Sequence, residues 1–212
     1  MPQEQWSNRS RTLVSRRQFL ARGAAVVPAI VLVPGGRAAG AEGPTEYVLR
    51  AGRFRAAPDG RPREVWGYNG QFPGPPIRAR EGETLRVKVV NGLAVPTSVH
   101  WHGMHQPGTW RMDGVAGVTG PPIAPGAEFV YEFKATPAGT HWYHSHVGVQ
   151  YSDGLLGPLV VEESRPIAAY DREETLVLND WFLRPSEELL AGLLKRPAMK
   201  MPAPKEGAAG RG

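Results

Sequence analysis

Turn-forming residues cut this chain into pieces too short for long helices. Between residues 45 and 180, Asn69-Gly70, Pro73-Gly74-Pro75, Asn91-Gly92, Pro121-Pro122 and Pro125-Gly126 stand between apolar runs. Glycine accepts positive φ without a steric cost and proline removes a backbone donor, so each cluster ends a regular element. Of 212 residues, 26 are glycine and 21 are proline, a share that favours strands joined by turns. The pieces in between follow a period of two. Leu85, Val87 and Val89 alternate with Arg86 and Lys88, and Phe129, Tyr131 and Phe133 alternate with Glu128, Val130 and Glu132. Such alternation puts one face in a core and the other in water. Further strands are expected over 46–54, 64–68, 97–102, 140–144, 159–162 and 175–178. Many short strands at this spacing predict an all-β sandwich or barrel.

One helix is expected, over 186–195, with Ser186 as N-cap, Glu187 and Glu188 in the first turn, and Lys195 and Arg196 at the end. From Pro197 the composition turns to Pro, Ala, Gly and Lys, which predicts a disordered tail. Residues 183–212 therefore read as a helix and tail, the start of a linker. No internal repeat is present.

The formal net charge of +5 suggests a nucleic-acid binder only until it is located. Arg9, Arg11, Arg16, Arg17, Arg22 and Arg37 precede residue 42, with Glu4 as the only acid there. Taking those six and that one from totals of 25 basic and 20 acidic residues leaves 19 of each sign. A neutral remainder lacks the basic footprint of a DNA or RNA partner. The basic segment instead reads as an export leader over 1–41. Ser15-Arg16-Arg17-Gln18-Phe19-Leu20 resembles the twin-arginine motif, an apolar run from Ala24 to Val33 follows, and Ala39-Gly40-Ala41 offers a small-residue cleavage site. That run is about half the roughly 20 residues a spanning helix needs, so no membrane span is expected after cleavage. The leader implies a periplasmic or secreted protein, exported already folded.

The six histidines all fall between positions 100 and 146. Four of them form two His-x-His pairs, His100-Trp101-His102 and His144-Ser145-His146. Residues two apart on a strand point to one face, with Cα atoms about 6.6 Å apart. Two such strands side by side would present four imidazoles on one surface. Metal–nitrogen bonds are about 2 Å, so one ion fits poorly within a single pair rooted that far apart. Each pair fits better astride two neighbouring metals, as in clusters with ions roughly 4 Å apart. Imidazole suits copper, zinc, iron and nickel alike, so ligand type leaves the metal open. A mononuclear zinc site also remains open. The chain has no cysteine, which excludes disulfides, thiolate zinc sites and thiol nucleophiles.

The segments His100-Trp101-His102-Gly103 and His141-Trp142-Tyr143-His144-Ser145-His146 resemble the first two of four copper motifs in multicopper oxidases. Asn69-Gly70-Gln71-Phe72-Pro73-Gly74-Pro75, Met112-Asp113-Gly114-Val115, Pro122-Ile123-Ala124-Pro125-Gly126 and Asp153-Gly154-Leu155-Leu156-Gly157-Pro158-Leu159 are similar to that family too. Tyr170-Asp171-Arg172-Glu173 with Asn179-Asp180-Trp181 looks like laccases and copper-resistance oxidases. The resemblance implies a cupredoxin-like Greek-key β-sandwich or barrel over 42–182, the family's N-terminal domain, with a short C-terminal helix. It implies that His100 binds a type 2 copper, that His102 and His144 share one type 3 copper, and that His146 binds the other. Asp113 matches an acidic residue that helps proton delivery during O2 reduction. Trp101 and Trp142 are expected on the strand face opposite the ligands, in packing roles. His105 and His141 fall outside the ligand pattern, and Met199 and Met201 read as incidental tail residues.

The family's other two copper motifs have no counterpart here. With no cysteine and no histidine after His146, the chain cannot build a type 1 copper site, which needs a thiolate. It offers half of the histidines that a trinuclear cluster requires. The favoured expectation is one part of a truncated or split oxidase that is inactive alone, with O2 and a reducing substrate, a phenol or a metal ion, as partners of the completed enzyme. A stand-alone periplasmic copper-binding or storage module and a zinc-stabilised structural domain are the alternatives.

Overall fold

The structure, a computed structural model, describes residues 43–57, 60–165, 168–182 and 184–195. The expected leader over 1–41, the residues from Pro197 onward and Met199 and Met201 lie outside the described residues.

Among the described residues, eight strands form two four-stranded sheets. They are β1 (Thr45–Ala56), β2 (Arg63–Tyr68), β3 (Ile77–Arg80), β4 (Thr84–Asn91), β5 (His100–His102), β6 (Glu128–Lys134), β7 (Gly139–His144) and β8 (Leu156–Glu162). The first sheet runs β2-β1-β4-β6 and the second β3-β8-β7-β5. Pairing is antiparallel except for β1 with β4 and β3 with β8. The all-β expectation is met.

Period-two alternation builds the core. Leu85, Val87 and Val89 of β4 are fully buried and meet Leu49, Tyr131 and Phe133 of the neighbouring strands. Ile77, Trp101, Tyr143 and Leu159 close the core from the second sheet. Burying side chains of this size stabilises by about 1.5–3 kcal/mol each. The alternate residues of β4 face water, where Arg86 pairs with Glu46 and Glu132, and Lys88 with Glu128. Such exposed pairs contribute at most about 1 kcal/mol each; the apolar face does most of the stabilising.

Several local expectations change. The strand over 97–102 shrinks to β5, because Thr97 bridges Ile123 while only residues 100–102 pair with β7. Residues 175–178 join no ladder among the described residues; Leu176 and Leu178 are about nine-tenths exposed, at 87% and 92%. Strand β3 was not expected, although Ile77 and Ala79 are buried and Arg78 and Arg80 are exposed in strict alternation. Strand β8 begins three residues earlier than its expected start at 159. Pro158 is tolerated because β3 joins only from Leu159 onward, leaving that side of β8 unpaired at the proline.

The helix α1 (Ser186–Leu194) forms where expected, but Pro185 occupies the N-cap position. Ser186 instead donates its hydroxyl proton to Asp153 Oδ1 at 2.6 Å, tying the helix to the turn before β8. Upstream, Arg63 donates to the Phe182 carbonyl at 2.7 Å and Trp181 packs edge-on against Phe72. Among the described residues, no helix is long and apolar enough to cross a membrane.

Gly157 shows how closely β8 packs against the side chains of its neighbour β7. A Cβ there would lie 2.3–2.7 Å from the buried Tyr143 phenol. Gly157→Ala is therefore expected to lower stability by about 1–3 kcal/mol, as overpacking does. Urea denaturation of the variant checks this.

Candidate metal centre

Strand register assembles the site. β5 and β7 pair antiparallel with His100 opposite His144, Trp101 opposite Tyr143 and His102 opposite Trp142. Trp101 and Tyr143 are fully buried, so the alternate positions His100, His102, Trp142 and His144 project from the outer face of the second sheet. His146 follows β7 and returns to the same surface. The ring centroids of His100 lie 5.3 Å from those of both His144 and His146, and those of His102 and His144 lie 5.5 Å apart. Within the pairs the spacing is 5.6 Å for His100 and His102 and 5.9 Å for His144 and His146. The rings thus approach more closely across the strands than along them. The structure brings all four imidazoles together, and potential ligand atoms of His100, His102 and His144 lie within 4.8 Å of one another.

Backbone carbonyls set the tautomers. His100 Nδ1 donates to the Asp113 carbonyl at 2.9 Å, and His144 Nδ1 to the Ser145 carbonyl at 2.9 Å. A carbonyl can only accept, so Nδ1 carries a proton in each ring, and in the neutral form of each ring the lone pair falls on Nε2. His144 Nε2 stands 3.4 Å from His102 Nδ1. Burial is graded: His144 is buried, His100 half-buried, and His102 and His146 exposed. Burial lowers the His144 pKa to about 4, opposed by its hydrogen bond to Ser145 and reinforced by the neighbouring imidazoles. His102 is lowered by burial and then by His100 and His146. Neutral imidazoles with free lone pairs are the protonation state that a divalent metal needs, so this donor set fits copper or zinc.

Asp113 sits beside His100, with its carboxylate Oδ1 3.4 Å from His100 Nδ1. Gly114 makes that placement possible. Its φ is +78°, and a Cβ there would fall 1.7 Å from the Val99 carbonyl oxygen, which only glycine avoids.

Trp101 packs in the core as expected. Trp142 does not: it stands two residues before His144 and so shares its face. Its ring stacks on His144 with centroids 4.0 Å apart and 23° between planes, and lies 5.0 Å from His102. Period two already contained this; the position between two histidines obscured it. Tyr151, 5.6 Å from His144, was also missed, because it comes from a turn that no strand pattern registers. His141 is outside the cluster, its Nε2 donating to the Pro137 carbonyl at 3.0 Å. His105 is exposed and is held through its backbone N–H to Thr136.

Comparison with known proteins gives this geometry a family. The family model described as "Multicopper oxidase" matches residues 51–166. The chain belongs to the multicopper oxidase family. Laccase-1 of Cryptococcus neoformans var. grubii is 41% identical over 168 residues, covering 76% of this chain and 27% of that protein. Copper resistance protein A of Pseudomonas syringae pv. tomato is 44% identical over 138 residues, covering 65% of this chain and 22% of that protein. The crystal structure of Fet3p, a multicopper oxidase that functions in iron import, aligns with a TM-score of 0.66 at 36% identity, covering 69% of this chain and 28% of that one. The fold of this multicopper oxidase domain is the cupredoxin sandwich. The chain spans about a quarter of the length of the relatives it matches.

Acid should destabilise the metal-free chain. His144 stays neutral in the fold down to about 4, whereas in the unfolded chain it protonates near 6.5. Between those values the unfolded state binds more protons, so stability is full above about 6.5 and falls as the pH drops toward about 4. Denaturant titrations across this window check the slope, which His144→Gln should flatten. A stability that held constant or rose on acidification would contradict the buried neutral ring.

Proposed function

We propose that this chain is the N-terminal cupredoxin domain of a laccase-like multicopper oxidase, supplying half of the ligands of the copper cluster that reduces O2 to water. The observation that carries this reading is the β5–β7 register, which sets His100, His102 and His144 on one face beside His146, with the buried His144 held neutral. Imidazole alone suits zinc equally well; family membership favours copper. Copper bound there supplies one-electron transfer and the affinity for O2.

The protein's own part is to hold and orient. His100 would bind a type 2 copper through Nε2, since its Nδ1 is committed to Asp113. His102 and His144 would share one type 3 copper, their facing nitrogens 3.4 Å apart, and His146 would bind the other. The exposed rings of His102 and His146 leave the nest open to ligands from outside this domain. Asp113 would hold a proton beside His100 for delivery to oxygen. Trp142 shields one side of His144 from water.

No cysteine is present, so substrate electrons would have to enter through a type 1 site on another domain. The reducing substrate of the completed enzyme would be a phenol or a metal ion. The twin-arginine-like leader supports export to the periplasm or the exterior as a folded protein.

The full chain should bind Cu(II) without oxidising phenols or Cu(I) at a rate typical of an oxidase. His144→Ala should weaken binding by more than the roughly 10–100-fold typical of losing a partner behind a ligand. Competition titration with a chelator and an oxidation assay check both. Unchanged affinity in His144→Ala would overturn the ligand assignment, and robust turnover would overturn the half-site reading.

A further inference from the structure

His146 lies beyond the reach of the strand ladder. The β5–β7 pairing ends at His100 opposite His144, and β7 itself ends at His144. Pairing therefore places three of the four imidazoles but not the fourth. Past that point, the Ser145 N–H donates to the Leu155 carbonyl at 2.9 Å, and the His146 N–H reaches Ser98 Oγ at 3.3 Å.

A buried knot of side chains continues the connection. Ser145 Oγ donates to Gln150 Oε1 at 2.6 Å, and Thr97 Oγ1 donates to the same oxygen at 2.8 Å. Gln150 Nε2 donates to the Pro96 carbonyl at 2.9 Å. That carbonyl can only accept, which fixes the carboxamide orientation and makes both hydroxyls donors. Thr97, Ser98, Ser145 and Gln150 are 0%, 2%, 1% and 7% exposed. Thr97 is itself anchored by two backbone hydrogen bonds to Ile123, of 2.7 and 3.0 Å. The carboxamide thus joins the segment entering β5 to the residue between the two histidines of the second pair. A buried network with its hydrogen bonds satisfied specifies one arrangement, since losing any member strands the others.

We propose that Gln150 is a positioning residue that fixes His146 relative to the other three imidazoles, doing for the fourth ring what strand register does for them. The Gln150 carboxamide hydrogen-bonds to Thr97, Ser145 and Pro96, and it acts through Ser145, which is covalently next to His146. Groups standing behind metal ligands orient them and tune affinity. The inference rests on the four-imidazole reading above, and the test separates the two.

The test uses the full chain. Gln150→Leu should weaken Cu(II) binding by about 10–100-fold. Thr97→Val, which keeps the shape and removes one hydroxyl, should weaken it in the same direction, and Thr97→Ser should restore it. In an H146A background, Gln150→Leu should change affinity by less than about twofold, because the residue through which it acts is gone. In an H102A background the full loss should persist. Equal losses in both backgrounds, or unchanged affinity in a folded variant, would overturn the proposal. If Gln150→Leu does not fold, the Thr97→Val and Thr97→Ser pair decides by the same criteria. The metal-free chain gives a separate readout: in 15N–1H spectra with labelled histidine, Gln150→Leu or Thr97→Val should move the His146 resonance and leave that of His102 in place. Should the unaltered chain take up no copper, the four-imidazole reading fails and these spectra alone decide. An unmoved His146 then overturns the positioning role.

Discussion

The site depends on one antiparallel pairing, three residues long on each side, between β5 and β7. That register decides which side chains share a face. A slip of one residue would turn the histidines inward and expose Trp101 and Tyr143. The two buried aromatics prevent it: both are completely enclosed, and their rings lie 6.1 Å apart in the core. The imidazoles are therefore held in place from behind. The apolar partners within each motif are as much a condition of the metal chemistry as the histidines are.

Most of this was legible in the sequence because the two periodicities involved are local. The alternation of Leu85, Val87 and Val89 with Arg86 and Lys88 gave both the strand and its buried face. The His-x-His spacing gave a shared face before any pairing partner was known. What could not be read was the register between strands distant in sequence, which sets His100 opposite His144 and not opposite Trp142. Gln150 escaped for a related reason. Its importance lies in three contacts made across a fold, with Thr97, Ser145 and Pro96, and none of these has a spacing signature.

The errors are equally physical. Residues 175–178 have the composition of a strand, yet composition does not supply a neighbour to pair with, and the two leucines stay in water. At α1, serine propensity for the cap gave way to a tertiary contact with Asp153. Trp142 was misplaced by its position among histidines, although counting two residues back from His144 puts it on the ligand face.

The two sheets divide chemistry between them. Among the described residues, the only primary amines besides that of Lys195 belong to Lys88 and Lys134, on β4 and β6 of the first sheet. The histidine nest opens from the second sheet, on the far side of the core. Amine-directed coupling to a solid support through either strand would fasten the domain by its back and leave the imidazoles turned toward solution. Molecules fastened through those two lysines would therefore present the imidazoles in one orientation, a consequence of where the sheet carries its amines.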